Sequence, residues 1–183
     1  MLRRVLFMLV LAVCLCRLRA TTLEYLSLSD MTAKSTAIVR GTVVSSYAAF
    51  TGPVIYTHYK IQVIESYKGA LQSSVDVVFP GGVANGRRQS FSGVPQLQSG
   101  SQFVFFLWTG SSGLTQIVGL TQGLFSVARY DANASNPTVT RAASAELMLE
   151  PGSGKPVKDK TLVMRLSDLK ARISAVITAG ARQ

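Results

Sequence analysis

The chain has little of the side-chain chemistry on which disulfide-rich, metal-binding and many catalytic domains depend. Its 183 residues include two cysteines, one histidine and nine acidic residues, against 19 lysines and arginines. Both cysteines, Cys14 and Cys16, lie near the N-terminus, so no disulfide framework can extend through the chain. A protein zinc site usually takes three or four histidine, cysteine or acidic ligands, which one histidine cannot supply. We therefore expect no metal and no cofactor.

Residues 1–20 have the layout of a secretory signal peptide. Arg3 and Arg4 form a basic start, an unbroken apolar run covers residues 5–16, and Ala20 is a small residue at the expected cut. The run is shorter than the roughly 20 residues that a membrane-spanning helix needs, so a retained membrane anchor is the weaker alternative. Cleavage after Ala20 would remove both cysteines, and the exported chain, periplasmic or extracellular, would start at Thr21.

The remainder of the chain is long enough for one domain with its own core. Residues 1–20 hold four of the 19 basic side chains and none of the nine acidic ones, which leaves a net charge of +6. Nucleic-acid binding requires clustered basic residues with interleaved aromatics, and the only tight basic doublet is Arg87-Arg88. We expect no nucleic-acid partner, and no membrane span once the signal is removed.

Six short segments rich in β-branched and aromatic residues predict strands. They cover residues 36–46, 55–67, 75–79, 102–108, 114–120 and 124–130. The segment 102–108 is continuously apolar, which indicates a central strand that is covered on both faces. Gly41 and Gly119 lie inside two of the strands, where a glycine marks a bulge or a sharp bend. Residues 48–53 are predicted to form the turn after the first strand.

Two helices are predicted, one near each end of the exported chain. Ser29 is the expected cap of a short first helix that ends near Ser35, with Asp30 at its positive end. Residues 166–179 have apolar positions at helical spacing, with Ser167 as the expected N-cap and Gly180 as the stop.

The fold class predicted from this order is mainly β. It is a small five- to six-stranded antiparallel barrel of the OB type, with a short N-terminal helix and a C-terminal helix. Residues 21–130 would form the barrel domain, 131–160 a polar loop or linker with a short helical possibility at 142–149, and 161–183 the C-terminal helix beside the barrel.

The segment from Pro80 to Pro95 is the candidate interaction loop. It is long for a hairpin connection, and long loops in compact domains are often functional. Its candidate residues are Pro80, Gly81, Gly82, Arg87, Arg88 and Phe91. The arginines suit a carboxylate or phosphate partner, and Phe91 suits a hydrophobic pocket. A flexible connection without a role is the alternative.

No catalytic residue is predicted. The single histidine, His58, has no carboxylate near it in sequence before Glu65, and no nucleophile-elbow glycine pattern occurs. Glu65 and Asp76 fall on different predicted strands and are interpreted as solvated charges on the sheet.

Three phrases carry a resemblance to a known family. They are STAIVRGTV at residues 35–43, YT at 56–57 followed by IQVIESYKG at 61–69, and GSQFVFFL at 100–107. Their order and spacing resemble netrin-like modules, the fold of the tissue inhibitors of metalloproteinases. They also resemble small uncharacterised exported bacterial proteins, in which PGG at 80–82 and GLTQGLF at 119–125 recur.

The resemblance covers about residues 26–130 and implies a five-stranded OB-type barrel flanked by helices. It also implies a limit on function. The metalloproteinase inhibitors place an N-terminal cysteine on the catalytic zinc, whereas the expected first residue here is Thr21. The inhibitory residue therefore does not carry over with the fold.

Together these observations predict an exported, non-enzymatic binding module. One version is a protease inhibitor or regulator that acts through the 80–95 loop on an exported protease. The alternatives are a structural envelope protein and a carboxylate-dependent hydrolase, since two carboxylates alone can carry out glycoside chemistry.

Overall fold

The computed structural model of the chain describes residues 22–69, 72–129, 133 and 135–182. The signal-peptide prediction for residues 1–20 lies outside the described residues. The described chain forms two helices, α1 (Leu28–Lys34) and α2 (Leu166–Gly180), and thirteen strands. The strands are β1 (Thr22–Glu24), β2 (Ala37–Thr51), β3 (Val54–Lys68), β4 (Ser74–Pro80), β5 (Gly82–Ala84), β6 (Arg87–Gln89), β7 (Gln102–Thr109), β8 (Thr115–Ile117), β9 (Leu124–Val127), β10 (Thr138–Arg141), β11 (Leu147–Leu149), β12 (Pro156–Val157) and β13 (Leu162–Arg165).

Most of the strands belong to one large antiparallel sheet. Its order is β13-β10-β9-β7-β2-β3-β4, and β8 pairs with the end of β7 beyond β9. A second sheet holds β1, β11 and β12, with β1 and β11 parallel, and β5 and β6 form a separate two-stranded ribbon. The predicted mainly β class with two helices is confirmed.

No sheet among the described residues closes into a barrel, so the predicted OB-like closure is not confirmed. β4 and β8 contact each other but do not pair. Val77 and Phe79 of β4 pack in the same core cluster as Ile117 of β8. The sheet therefore curls until β4 meets β8, without the hydrogen bonds that would complete a ring.

β2 and β3 form a hairpin that is longer than predicted. Residues 48–51, expected in a turn, continue β2 and pair with residues 54–57 of β3. The turn contracts to Gly52-Pro53, because Gly52 adopts a φ of 59° that other residues rarely reach. The pairing shifts between Arg40 and Gly41, where the sequence predicted a bulge.

The middle of β7 is buried on both faces of the sheet, as its continuous apolar pattern predicted. Val104 and Phe106 pack with the helices in one core, and Phe105 and Leu107 pack in a second core on the opposite face. All four side chains are fully buried. This double burial explains why the strand lacks the alternation of a half-exposed one.

Helix α1 begins two residues earlier than predicted. Its cap is Ser27 and not Ser29: the Ser27 hydroxyl accepts from the Asp30 N–H, and the Asp30 carboxylate accepts from the Ser27 N–H. This reciprocal pair is a capping box, which satisfies two backbone donors at the helix start.

The predicted cap of α2, Ser167, is also wrong. The N-cap is Arg165, whose side chain makes no capping bond. Asn136 supplies the missing acceptor from a distant part of the chain, because its Oδ1 accepts from the Ser167 N–H at 2.9 Å. A local sequence pattern cannot reveal a cap that comes from 31 residues away.

The segment 131–160 contains strands where a loop or linker was predicted. β10 pairs with β9 and β13 inside the large sheet, and β11 and β12 belong to the second sheet. The helical possibility at 142–149 is wrong, because Leu147–Leu149 pairs with β1. A buried ion pair fixes this region: Arg141 donates to both carboxylate oxygens of Asp159, at 2.9 and 2.7 Å.

The strands after β7 are shorter than predicted. The strand expected at 114–120 covers only Thr115–Ile117, and the one expected at 124–130 covers only Leu124–Val127. A turn separates them, in which Leu120 has a φ of 61°. Gln122 in this turn is fully buried and holds the N-terminal segment, accepting from the Leu26 N–H and donating to the Glu24 carbonyl.

Candidate functional site

The predicted 80–95 loop is in part a β-ribbon. β5 and β6 pair through Gly82↔Gln89, Val83↔Arg88 and Ala84↔Arg87. Asn85 and Gly86 connect them with φ angles of 50° and 72°. Two adjacent positive-φ residues are typical of the hairpin turn that Asn-Gly favours. The segment therefore has a defined shape, and the prediction of a simple loop is corrected.

Gln89 attaches the ribbon to the tip of the β2–β3 hairpin. Its Oε1 accepts from the Ile55 N–H at 2.7 Å, and its Nε2 donates to the Pro53 carbonyl at 2.9 Å. The neighbouring Thr57 hydroxyl donates to the Gly81 carbonyl at 2.7 Å. One side-chain amide thus satisfies two backbone groups of the turn and fixes the ribbon against it.

Gly82 is required by the close packing of the ribbon on the hairpin. It has a φ of 135°, and a Cβ there would lie 2.6 Å from the Thr57 Oγ1 and 3.0 Å from the Ala48 Cβ. Both the backbone angle and the space exclude a larger residue. The sequence marked Gly82 as a candidate site residue, and its observed role is to allow this contact.

The six predicted site residues divide into two groups. Pro80, Gly81, Gly82 and Phe91 line one small cavity of about 230 Å³, together with Tyr59 and other residues. Arg87 and Arg88 do not line it, and both are exposed on β6.

Two exposed apolar residues accompany the arginines. Val83 is paired with Arg88 across the ribbon and is 54 % exposed. Phe91, at the base of the ribbon, is 47 % exposed. The ribbon therefore presents two cations and two apolar side chains to solvent, a combination suited to binding an acidic protein surface.

His58 does have a carboxylate partner, contrary to the sequence-based expectation. Its Nδ1 lies 2.8 Å from the Asp76 Oδ2, and its ring stacks on Tyr47 at 4.6 Å. The partner comes from β4, where the register places Asp76 diagonally across from His58. The strand alternation in the sequence was therefore compatible with a His58–Asp76 pair, but only the register of β3 on β4 shows that the two side chains meet.

This His58–Asp76 pair lacks the third member of a nucleophilic triad. Within the described part of the chain, the other ring nitrogen of His58 makes no hydrogen bond to a serine or threonine hydroxyl. Asp76 itself is half exposed.

Glu65 is more than the solvated sheet charge that the sequence predicted. It bonds to Lys170 of α2 and accepts from the Tyr67 hydroxyl at 3.1 Å. Burial raises the pKa of the Glu65 carboxyl, but the bonds from Lys170 and Tyr67 lower it by more. Burial and the adjacent Glu65 charge raise the pKa of Tyr67 well above its usual value. Glu65 therefore links the large sheet to α2.

The described residues offer neither a metal site nor a membrane-spanning helix. No group of three or more histidine, cysteine, aspartate or glutamate side chains in the ranges described could hold a metal ion. In the same ranges no helix combines the length and apolar character needed to cross a membrane.

Comparisons with protein families, with curated proteins and with solved structures found no match.

Proposed function

We propose that the chain is an exported, non-enzymatic binding module that uses the β5–β6 ribbon to bind an acidic surface of another exported protein. The observation that carries the proposal is the fixed ribbon itself. Gln89 holds it on the hairpin through two backbone groups, so Arg87, Arg88 and Phe91 are displayed without a large ordering cost on binding. A protease is one partner of this kind, and the chain would then act as its inhibitor or regulator.

The resemblance to netrin-like modules forms part of the same proposal. The three phrases that carry it fall on β2, β3 and β7, which pair side by side in the order β7-β2-β3. β8, β7, β2, β3 and β4 would make a five-stranded ring of the OB type if β4 and β8, which already touch, were paired.

Replacement of both ribbon arginines tests the binding proposal. We expect Arg87→Glu with Arg88→Glu to abolish capture of the specific partner when the immobilised protein is incubated with the secreted fraction of its own source. The reversal of two exposed charges would repel an acidic partner. Captured proteins are identified by mass spectrometry, and the affinity of a purified partner is then measured at two salt concentrations.

Two further variants make this test specific. Arg172→Glu changes an exposed arginine on α2, far from the ribbon in sequence, and should leave capture unchanged. Gln89→Ala keeps both arginines but releases the ribbon, and should weaken binding by roughly tenfold because the ribbon must then be ordered on binding. An identical set of captured proteins with the double arginine variant would refute the proposal.

Export has its own test. We expect N-terminal sequencing of the protein recovered outside the cytoplasm to start at Thr21, because Ala20 is the small residue that ends the signal pattern. Ala20→Arg should block cleavage and shift the start. A protein that starts at Met1 in every fraction would contradict the signal prediction and favour a retained anchor.

A further inference from the structure

We propose that a second pocket, lined by Arg40 and Arg129, binds a small ligand through a carboxylate or phosphate group. The pocket has a volume of about 360 Å³ and lies where β7 begins and β9 ends. Gly100, Ser101, Gln102 and Pro137 are among its walls, and none of the described residues that line it is acidic. Two positive charges, with no acid among the described lining residues, favour an anion there.

One hydrogen-bond donor of Arg40, a residue that lines this pocket, has no partner among the described residues. Its Nε is buried and has no hydrogen-bond partner. A buried polar group without a partner is costly, so native proteins rarely leave one unless a ligand or water completes it. Within the described residues Arg40 forms no ion pair, whereas the more deeply buried Arg141, whose Nε also lacks a partner, has both terminal nitrogens on Asp159.

Glu65, the acid opposite Arg40 in the sheet, does not satisfy it. Glu65 pairs with Arg40 across β2 and β3, and the Arg40 charge contributes to lowering the pKa of Glu65. The hydrogen bonds of that carboxylate, however, come from Lys170 and Tyr67. The group formed by Arg40, Lys170 and Glu65 therefore keeps one surplus positive charge.

Arg129 is held at the rim of the pocket in an orientation that suits an anion. Its Nη2 donates to the Gly100 carbonyl at 2.8 Å, which fixes the guanidinium. This bond uses one of the five N–H donors of the side chain. Planar guanidinium groups match the geometry of carboxylate and phosphate oxygens. The Ser101 hydroxyl adds a neutral donor to the same wall.

This pocket is distinct from the ribbon surface. Arg40 lies beside Glu65, which bonds to α2, and so belongs to the helix side of the sheet. The ribbon packs through Gly82 against Thr57 and Ala48 of the hairpin tip. No residue lines both pockets, so a variant can disable one and leave the other.

NMR of the arginine side chains tests the proposal directly. The Nε–Hε signals of the ¹⁵N-labelled protein are followed during titration with inorganic phosphate, with acetate and with chloride at equal ionic strength. We expect the Arg40 and Arg129 signals to shift saturably with phosphate or acetate and not with chloride. The anion with the lower dissociation constant identifies the group that the ligand carries.

Matched variants complete the test. Arg129→Gln removes an exposed side chain and should weaken anion binding by roughly tenfold, and Arg40→Lys, which keeps the charge but loses the Nε donor, should do the same. Arg172→Gln should have no effect. Shifts that stay linear throughout the titration, that occur equally at Arg88 and Arg172, or that persist unchanged in Arg129→Gln would overturn the proposal.

Discussion

Asp159→Asn is expected to lower the free energy of unfolding by about 3–5 kcal/mol, the usual cost of leaving a buried charge without its partner. The side chains of Arg141 and Asp159 are 4 % and 1 % exposed, and the guanidinium donates to both carboxylate oxygens. The asparagine keeps the shape of the side chain but leaves the Arg141 charge without its partner. Urea unfolding followed by circular dichroism measures the difference.

Two comparisons isolate the ion pair from other effects of the change. Arg141→Met combined with Asp159→Asn removes both charges and should recover part of the loss, because no buried charge is left unpaired. Asp168→Asn, an exposed acid in the first turn of α2, should cost less than about 1 kcal/mol. Equal losses in Asp159→Asn and Asp168→Asn would contradict the importance of burial.

The same ion pair gives stability a defined pH dependence. Burial by itself raises the pKa of Asp159, but the bonds from Arg141 and from the Ser144 and Lys160 N–H groups lower it by more, so the net shift is downward. Its contribution is therefore present above the unfolded-state pKa of about 3.9 and is lost as the pH falls through the folded-state value. The wild type should lose this contribution on acidification, whereas Asp159→Asn should not.

Gly41→Ala is expected to destabilise the protein by about 3 kcal/mol, through a clash in the β2–β3 pairing. A Cβ at this position would lie 2.5 Å from the Ile61 Cγ2 and 2.7 Å from the Gln62 carbonyl oxygen. The Ile61 side chain is fully buried and the carbonyl is part of the backbone, so neither can move freely. Thermal unfolding measures the loss.

Gly180→Ala is the matched control for this substitution. Gly180 ends α2 with a negative φ and has no atom within 4 Å of an added Cβ, so alanine should be neutral or slightly stabilising there. If Gly41→Ala were equally neutral, the bulge would have to accommodate a side chain by a shift in register. Amide exchange along β2 would then show altered protection.

The strands whose sequences show a clear hydrophobic pattern were predictable. Residues 102–108 form a doubly covered strand because a continuous apolar run can satisfy two cores at once, and β7 does so. The bend at Gly41 was predictable for a similar reason, since a glycine among β-branched residues is unfavourable unless the backbone needs the space.

The candidate site was predictable in its location but not in its form. Arg87, Arg88 and Phe91 stood out in the sequence, whereas the ribbon depends on Gln89 reaching Pro53 and Ile55 of another hairpin. The cap of α2 behaved similarly, because the Ser167 N–H bonds to Asn136, 31 residues away; the Ser27 cap of α1, by contrast, is a local pair with Asp30 that the sequence pattern could have shown. Contacts across such separations leave no local pattern.

By itself the sequence determined the mainly β class, the approximate positions of six of the thirteen described strands and the scarcity of cysteine and histidine chemistry, because these follow from local pattern and composition. Tertiary structure alone decided how far the sheet closes, since β4 and β8 touch without pairing. It also decided which charges meet: Arg141 pairs with Asp159, His58 pairs with Asp76, and Arg40 forms no ion pair with a described carboxylate. The physical reason is that strand register and chain reversal bring together residues that are distant in sequence, and these contacts set both the buried ion pair and the arginine pocket.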